Sequence, residues 1–471
     1  MSDKTSSEKP ASGVSRRDLL KVAGASAGVA ASVGGAASLL GRTNEPEPQG
    51  APAVLTNTQA GRKFRAYVKF SNDMPTVIQV TARALQARQI AVRMEAAQTC
   101  YTSVDECLVQ GTPVGPAGPN IVGHGGVGIV EAVGPAVNSV RVGDRVVMPF
   151  HKACGRCFNC LWMRSDKCLN AANLKENFIP AVDLPDGRSL ISPIGGMTEL
   201  LITNEEQAVP VFTDASSVEL AMLTCVGGCG LGMAMTNVPV ELASDVVVFG
   251  AGPVGLAALQ GAKLKGATRI IVVEPIKYRR DLAMKLGATA VVDPNEFKER
   301  NPANGIAGLG AGMKDALVDH LRDMCKLKSD RLWAGGGRVG PDHIIEAVGG
   351  DRIKPKEVQG PDPTGVQVLE QCWDLCSQIG TLATCSVGQP DNAFVRIKAS
   401  QWADGAKHHW PGTGGGTNDR RDVPRFARLI ESGQLNMKAL ASKTYPLSQA
   451  KEAYQVAADR TMVATVVTPT A

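Results

Sequence analysis

The stretch "DVVVFGAGPVGLAALQGAKLKGATRIIVVE" (245–274) constrains the fold more than any other part of this 471-residue chain. An apolar run of strand length leads into glycines at Gly250, Gly252 and Gly255, then a segment at helical spacing, then a second apolar run ending on Glu274. A strand that turns sharply into a helix needs a glycine at the turn. A second glycine lets the backbone approach an anion, and a third lets helix lie close on strand. Gly250, Gly252, Pro253, Val254 and Gly255 therefore read as a dinucleotide-binding turn, with the helix N-terminus facing a pyrophosphate. The alternative is a structural glycine turn, since the chain holds 51 glycines and the pattern alone is weak. Glu274 follows Gly255 by nineteen residues, where a carboxylate accepts hydrogen bonds from both hydroxyls of an adenosine ribose and repels a 2′-phosphate. NAD is expected over NADP, although Lys277, Arg279 and Arg280 pull the other way; Arg279 is taken as a further cofactor-binding residue.

The same strand–helix alternation continues with "DLAMKLGA" as helix and "AVVD", "HIIEAV" and "GTLATCSV" as strands, which predicts a doubly wound parallel sheet over 226–410. Two insertions interrupt it. Residues 297–340 contain "GIAGLGAGMKDALVDHLRDMCKL", helical in its second half, and the loop "WAGGGRVGP", and "GDRIKPKEVQGPDPTG" (350–365) cannot be regular structure. Residues 60–225 read differently. "KFRAYVKF", "TVIQVTARAL", "QIAVRMEAA", "GVGIVEAVG" and "GDRVVMPF" are strands with glycines at their turns, so this part is β-rich and barrel-like. From 411 the chain shows a helix, "DVPRFARLIESGQL", and closes on the strand "MVATVV". The overall class is α/β.

Composition excludes some functions. Fifty basic against 45 acidic residues leave +5, too mild for nucleic acid, and aromatics are scarce. The cysteines say more. Cys154, Cys157, Cys160 and Cys168 form C-x2-C-x2-C-x7-C (lobe 151–170), a spacing that suits sulfurs converging on one tetrahedral zinc. With no open position this is a structural site; paired disulfides are the alternative.

Residues 1–45 carry Arg16 and Arg17 ahead of an uncharged Ala/Gly/Val stretch and a Pro/Glu-rich linker, the layout of a twin-arginine export signal. Export by that route, to the periplasm or outside the cell, makes the translocation machinery a partner; a chance basic patch on a cytoplasmic protein is the alternative.

From about residue 60 onward the chain resembles the zinc-containing medium-chain alcohol dehydrogenases. The resemblance rests on "GHGGVGIVEAVGPAVNSVRVGDRVVMPF" (123–150), "CGRCFNC", "MLTCVGGCGLG" and "VFGAGPVGL". It implies a GroES-like catalytic domain, split in sequence (60–225 and 411–471), around a Rossmann domain at 226–410. It nominates Cys100, His124 and Cys225 as ligands of a catalytic zinc, making two zincs per chain. Two thiolates and one imidazole are the set that alcohol dehydrogenases use to leave one position open. Thr102 matches the hydroxyl that takes the alcohol proton, and Phe150 a wall of the substrate pocket, with a core role as its other reading. The resemblance implies small alcohol or aldehyde substrates, NAD and a homo-oligomer.

The departures are specific. Ser103 stands where the family has an Asp that hydrogen-bonds the zinc-ligand histidine, and Gly125 where a Glu follows it. Asp105 occupies the place of a relay histidine, either as the end of a proton path or as a solvated loop residue. Ala464 replaces an arginine that binds pyrophosphate, with Arg460 nearby. Cys107 and Cys229 are candidate alternate zinc ligands, while Cys372, Cys376 and Cys385 are taken as small core residues. An exported chain with a nicotinamide cofactor fits a nicotinoprotein, in which NAD is bound before export and recycled in place. The alternatives are an ordinary NAD(P)-dependent dehydrogenase in the cytoplasm and a catalytically silent zinc-stabilised binding protein.

Overall fold

Strand β3 (Gln89–Gln98) sits at the centre of the first half of the molecule, buried along nearly its whole length. Its apolar run is what that position requires, since both faces meet protein. β3 follows β1 (Lys63–Lys69) and β2 (Thr76–Ala82), which pair with each other in a separate five-stranded sheet. One edge of β3 takes β4 (Gly126–Val133), which in turn pairs with β5 (Arg145–Met148). The other edge takes β6 (Leu200–Asn204) along Gln89–Arg93, and the last strand of the chain at Ala97–Gln98. The C-terminus therefore returns to complete the sheet that the N-terminal strands began.

Between these strands lies a six-stranded, all-parallel sheet: β7 (Asp245–Phe249), β8 (Arg269–Val273), β9 (Ala290–Val292), β10 (His343–Glu346), β11 (Thr381–Thr384) and β12 (His408–Pro411). Their order is β9-β8-β7-β10-β11-β12, so the strand order reverses between β7 and β10. In open α/β sheets the ligand crevice opens at the carboxyl ends of such a pair. Alternate residues of β7 enter opposite cores: Val246 and Val248 pack on the side of α3 (Pro253–Leu264), Val247 and Phe249 on that of α5 (Ala316–Cys325) and α6 (Val366–Leu375). Other helices include α1 (Val104–Leu108), α2 (Val226–Gly232), α4 (Lys277–Leu286), α7 (Asp419–Glu431) and α8 (Ala450–Asp459), with β13 (Ala441–Pro446) and β14 (Ala464–Thr468) closing the chain.

The computed structural model describes residues 59–114, 118–151, 153–169, 179–191, 194–298, 300–301, 314–326, 340–385, 387–412 and 414–470. All of them belong to one unit, Val54–Ala471. Residues 1–45, where an export signal is expected, and residues 302–313 and 327–339 of the first insertion lie outside the described residues.

Three features depart from the expectations. β12 has four exposed residues, so as an edge strand it carries no apolar run to reveal it. α4 begins at Lys277 rather than Asp281, its first turn being charged. α2 is a helix despite four glycines in seven residues, against intrinsic propensity. Tertiary contact requires them: a Cβ on Gly230 would lie 2.2 Å from the Val254 carbonyl oxygen on α3.

Candidate active site and metal centres

Cys100 lies two residues beyond β3, at the start of a 3-10 turn (Tyr101–Ser103) that runs into α1. His124 occupies the turn into β4, between Gly123 (φ +110°) and Gly125 (φ +67°). Gly125, one of the departures noted above, has a steric cause: a Cβ there would lie 1.8 Å from the Met148 carbonyl oxygen. Cys225 caps the N-terminus of α2. Three remote segments thus converge, and the ligand atoms of Cys100, His124 and Cys225 all lie within 4.8 Å of one another. The two sulfurs are 3.8 Å apart. Two thiolates on one tetrahedral zinc, each about 2.3 Å from it, would be about 3.8 Å apart, so the residues present fit that ion. Hydrogen bonding with Cys225 and the charge of His124 favour the thiolate at Cys100, against its burial, while the same contact raises the pKa of Cys225. Cys107 is buried and its thiol pushed up by burial, outside this group. Cys229 hydrogen-bonds Cys225 and Cys385 but is likewise outside it.

Cys154, Cys157, Cys160 and Cys168 form a second convergent group on the same criterion. The N–H of Cys157 donates to Cys154 Sγ and that of Cys154 to Cys168 Sγ, each at 3.3 Å. Such bonds stabilise thiolates, and the Cys157 thiol is brought down to about 6, chiefly by the backbone N–H of Cys160. All twelve cysteines are free, so the disulfide alternative is not realised in this structure.

A cavity of about 220 Å³ runs from Cys100 and Thr102 to the carboxyl ends of β7 and β8. Gly250, Gly252, Pro253 and Val254 line it, while Gly255 packs beneath, where a Cβ would lie 1.8 Å from the Gly250 oxygen. Glu274 also lines it, with both carboxylate oxygens accepting backbone N–H bonds, from Ala251 at 2.6 Å and Ile276 at 2.9 Å. It therefore braces the glycine turn as well as facing the cavity. Arg279 is buried beside the turn, donating to Met462 O and Tyr278 Oη. Thr102 Oγ1 lies 3.0 Å from Cys100 Sγ. Phe150 stacks on His124 at 5.6 Å and packs on the core, outside the cavity lining. Cys372 and Cys376 are core residues as expected, but Cys385 is not: it is half-buried and lines the cavity.

The residues that sequence reasoning missed lie in the 350–365 segment, which has no strand or helix. Arg352 donates to Asp105 at 2.6 Å, and Asp351 pairs with Arg460, whose guanidinium also stacks over Tyr101. Tyr101 Oη accepts from the Arg352 N–H, and Lys356 pairs with Asp459 at 2.7 Å. Asp105 is thus ion-paired to Arg352, with its side chain partly exposed. The available signal was an adjacent Asp–Arg pair a few residues past the carboxyl end of β10.

Comparison with known proteins agrees with this architecture. Residues 86–213 match the family model described as alcohol dehydrogenase GroES-like domain, and residues 253–355 that described as zinc-binding dehydrogenase. Alcohol dehydrogenase 6 of Rattus norvegicus is 31% identical over 381 residues, 79% of this chain and 88% of that protein. An NDMA-dependent alcohol dehydrogenase of Amycolatopsis methanolica is 25% identical over 379 residues, 78% and 88% of the two chains. The crystal structure of an alcohol dehydrogenase zinc-binding domain protein from Burkholderia ambifaria superposes with a TM-score of 0.70 at 24% identity, over 86% of this chain and 99% of that one. The chain belongs to the zinc-containing medium-chain alcohol dehydrogenase family. It is a zinc-dependent oxidoreductase of the alcohol dehydrogenase type with an NAD(H)-type cofactor, which sets aside the silent binding protein.

Proposed function

We propose that this enzyme is a nicotinoprotein that interconverts small alcohols and aldehydes on a tightly held NAD. Cys100, His124 and Cys225 would hold the catalytic zinc, and Cys154, Cys157, Cys160 and Cys168 the structural one, giving two per chain. When bound, the catalytic metal supplies Lewis acidity toward the substrate oxygen and the nicotinamide accepts or returns the hydride. Thr102, lining the cavity next to Cys100, would orient the alcohol and relay its hydroxyl proton toward solvent, giving up its own hydroxyl hydrogen as it takes the alcohol's. The turn from Gly250 to Val254 presents the N-terminus of α3 to the pyrophosphate. Glu274, on the cavity wall, would face an adenosine ribose and disfavour a 2′-phosphate, which favours NAD.

The observation that carries the retained-cofactor reading is the 350–365 segment. Asp351, Gly360, Pro361 and Asp362 line the cavity from one side, while Arg352–Asp105, Asp351–Arg460 and Lys356–Asp459 tie the segment to the other. Ties of this kind would hold the segment over a bound dinucleotide and slow its release. The relative named for its dependence on NDMA supports the same reading, a dependence on an added reactant being what recycling in place requires. The deciding experiment is to purify the protein without added cofactor, denature it, and assay the supernatant for NAD(H). About one equivalent per chain is the expected result. An empty supernatant with activity only on added NAD or NADP means an ordinary dehydrogenase.

The same reading accounts for the leader. Twin-arginine export carries folded proteins, so metals and cofactor would be loaded beforehand. Replacing Arg16 and Arg17 by lysine should retain the protein inside the cell; unchanged distribution in cell fractions counts against export.

A further inference from the structure

Three basic residues follow Glu274, and each could serve a 2′-phosphate if it were free; the fold commits all three elsewhere. Lys277 pairs with Asp281 at 2.7 Å, one turn along α4. Arg280 pairs with Asp293 at 2.9 Å and donates to the carbonyl oxygens of Glu274 and Pro275, each at 2.7 Å. Neither Lys277 nor Arg280 lines the cavity. Arg279 does, but its guanidinium stands over the glycine turn. A Cβ on Gly252 would lie 4.0 Å from its Nη1, while Nε and Nη2 donate to Tyr278 Oη and Met462 O. Arg460, the other base on the cavity wall, is matched by Asp351.

Two carboxylates on that wall, Glu274 and Asp362, meet no basic side chain among the described residues. Asp362 belongs to the 350–365 insertion. It accepts from Thr364 N at 2.9 Å, Thr364 Oγ1 at 2.7 Å and Gln367 N at 2.8 Å, which fastens it to the start of α6. Its neighbour Pro363 accepts from Asp351 N at 2.7 Å. Two residues before Asp362 the same segment reaches the end of β8: a Cβ on Gly360 would lie 4.0 Å from Pro275 Cγ, in ordinary contact. Glu274 and Asp362 therefore stand on two walls that meet at Pro275 and Gly360.

We infer that Asp362 is a second determinant of cofactor choice. With Glu274 it makes the adenosine end of the cavity acidic, so that a ribose with free hydroxyls is accepted and one bearing a 2′-phosphate is repelled. A phosphate monoester carries about −1.5 to −2 charges at pH 7. Its repulsion by a carboxylate across a cavity walled by protein is screened far less than in water. The inference rests on the reading of this cavity as the site of an NAD-type cofactor.

The test uses the full chain freed of nucleotide on charcoal, with 5′-AMP and adenosine 2′,5′-bisphosphate as calorimetric probes. Wild type should bind 5′-AMP and hold the bisphosphate roughly 100-fold more weakly. In Asp362→Asn, and in Asp362→Ser, which keeps an oxygen for the start of α6, that gap should narrow about 10-fold while 5′-AMP affinity stays unchanged. A merely structural role would weaken both probes alike. That result overturns the proposal, as does a gap that keeps its wild-type size. If neither variant folds, salt decides: raising KCl from about 0.05 M to about 0.5 M should narrow the wild-type gap, and a gap that holds or widens overturns the proposal. Wild type that binds both probes equally overturns it outright. Wild type that binds neither refutes the cofactor reading beneath it instead, so the two failures are distinct.

Discussion

Arg352 and Asp105, 247 positions apart in the chain, form a 2.6 Å ion pair that fastens the parallel-sheet domain to the GroES-like domain beside the cofactor cavity. Asp105 belongs to the helix that follows the zinc-ligand turn, and Arg352 to the segment that follows β10. One bond thus joins the helix after the Cys100 turn to the segment that lines the cavity at Asp351 and Gly360.

Breaking that bond should loosen the cofactor without touching the metals. A partly buried, charge-assisted hydrogen bond contributes about 1.5–3 kcal/mol, so Arg352→Ala should accelerate NAD(H) release roughly 10–100-fold. Fluorescence of bound NADH during competition with excess NAD measures this, and zinc content should stay constant.

The two metal groups should separate cleanly by mutation. His124→Asn should remove one zinc and reduce turnover by about three orders of magnitude while leaving thermal stability largely intact. Cys154→Ser should remove the other zinc and lower the unfolding temperature, because a structural metal's binding energy is folding energy. Metal analysis and calorimetry on both variants check the assignment.

Gly230 should resist enlargement. In Gly230→Ala the added methyl would lie 2.2 Å from Val254 O and 2.8 Å from Ala257 Cβ, so α2 and α3 must part. Overpacking of this kind costs about 1–3 kcal/mol. Denaturant unfolding should show that loss, and kcat should fall with it because α2 carries Cys225 at its start.

Glu205 predicts an acid-dependent contribution to stability. Its side chain is buried, accepts from Asn138 N, Ser139 N and Ser139 Oγ, and pairs with Arg88. Burial raises its pKa, but these bonds outweigh it and hold the pKa below the usual carboxylate value. A carboxylate with a lowered folded-state pKa stabilises above its unfolded pKa and loses that contribution as pH falls through the folded one. Glu205→Gln should therefore cost about 1–3 kcal/mol at pH 7. The gap between the variant and wild type should narrow below about pH 4. Urea unfolding of both proteins across that range tests it.

Much of the site was legible in local pattern, because metal ligation and anion binding by a helix N-terminus each demand particular residues at fixed spacing. Cys154 to Cys168 and Gly250 to Gly255 carry their geometry within a few residues, so their placement required no tertiary information. Arg352 and Asp351 were not legible, since their meaning depends on partners at Asp105 and Arg460 that only the folded chain brings near. Cys385 looked like core for a related reason: a small apolar side chain at a strand end gives no sign of whether a cavity lies beside it. The glycine helix α2 was invisible because propensity opposes it and only the approach of α3 explains it. Gly125 showed as a departure, and its cause emerged only with the Met148 carbonyl oxygen 1.8 Å from where a Cβ would stand.

The contact of α2 with α3 has a mechanical consequence. Cys225 begins one helix and the glycine turn begins the other, and where Gly230 meets Val254 and Ala257 no side chain stands between them to act as a cushion. Cys225 and the glycine turn therefore behave as two marks on one stiff ruler. Close packing at Gly230 thus ties the position of Cys225 to that of the glycine turn, so a change that parts α2 from α3 would disturb both at once.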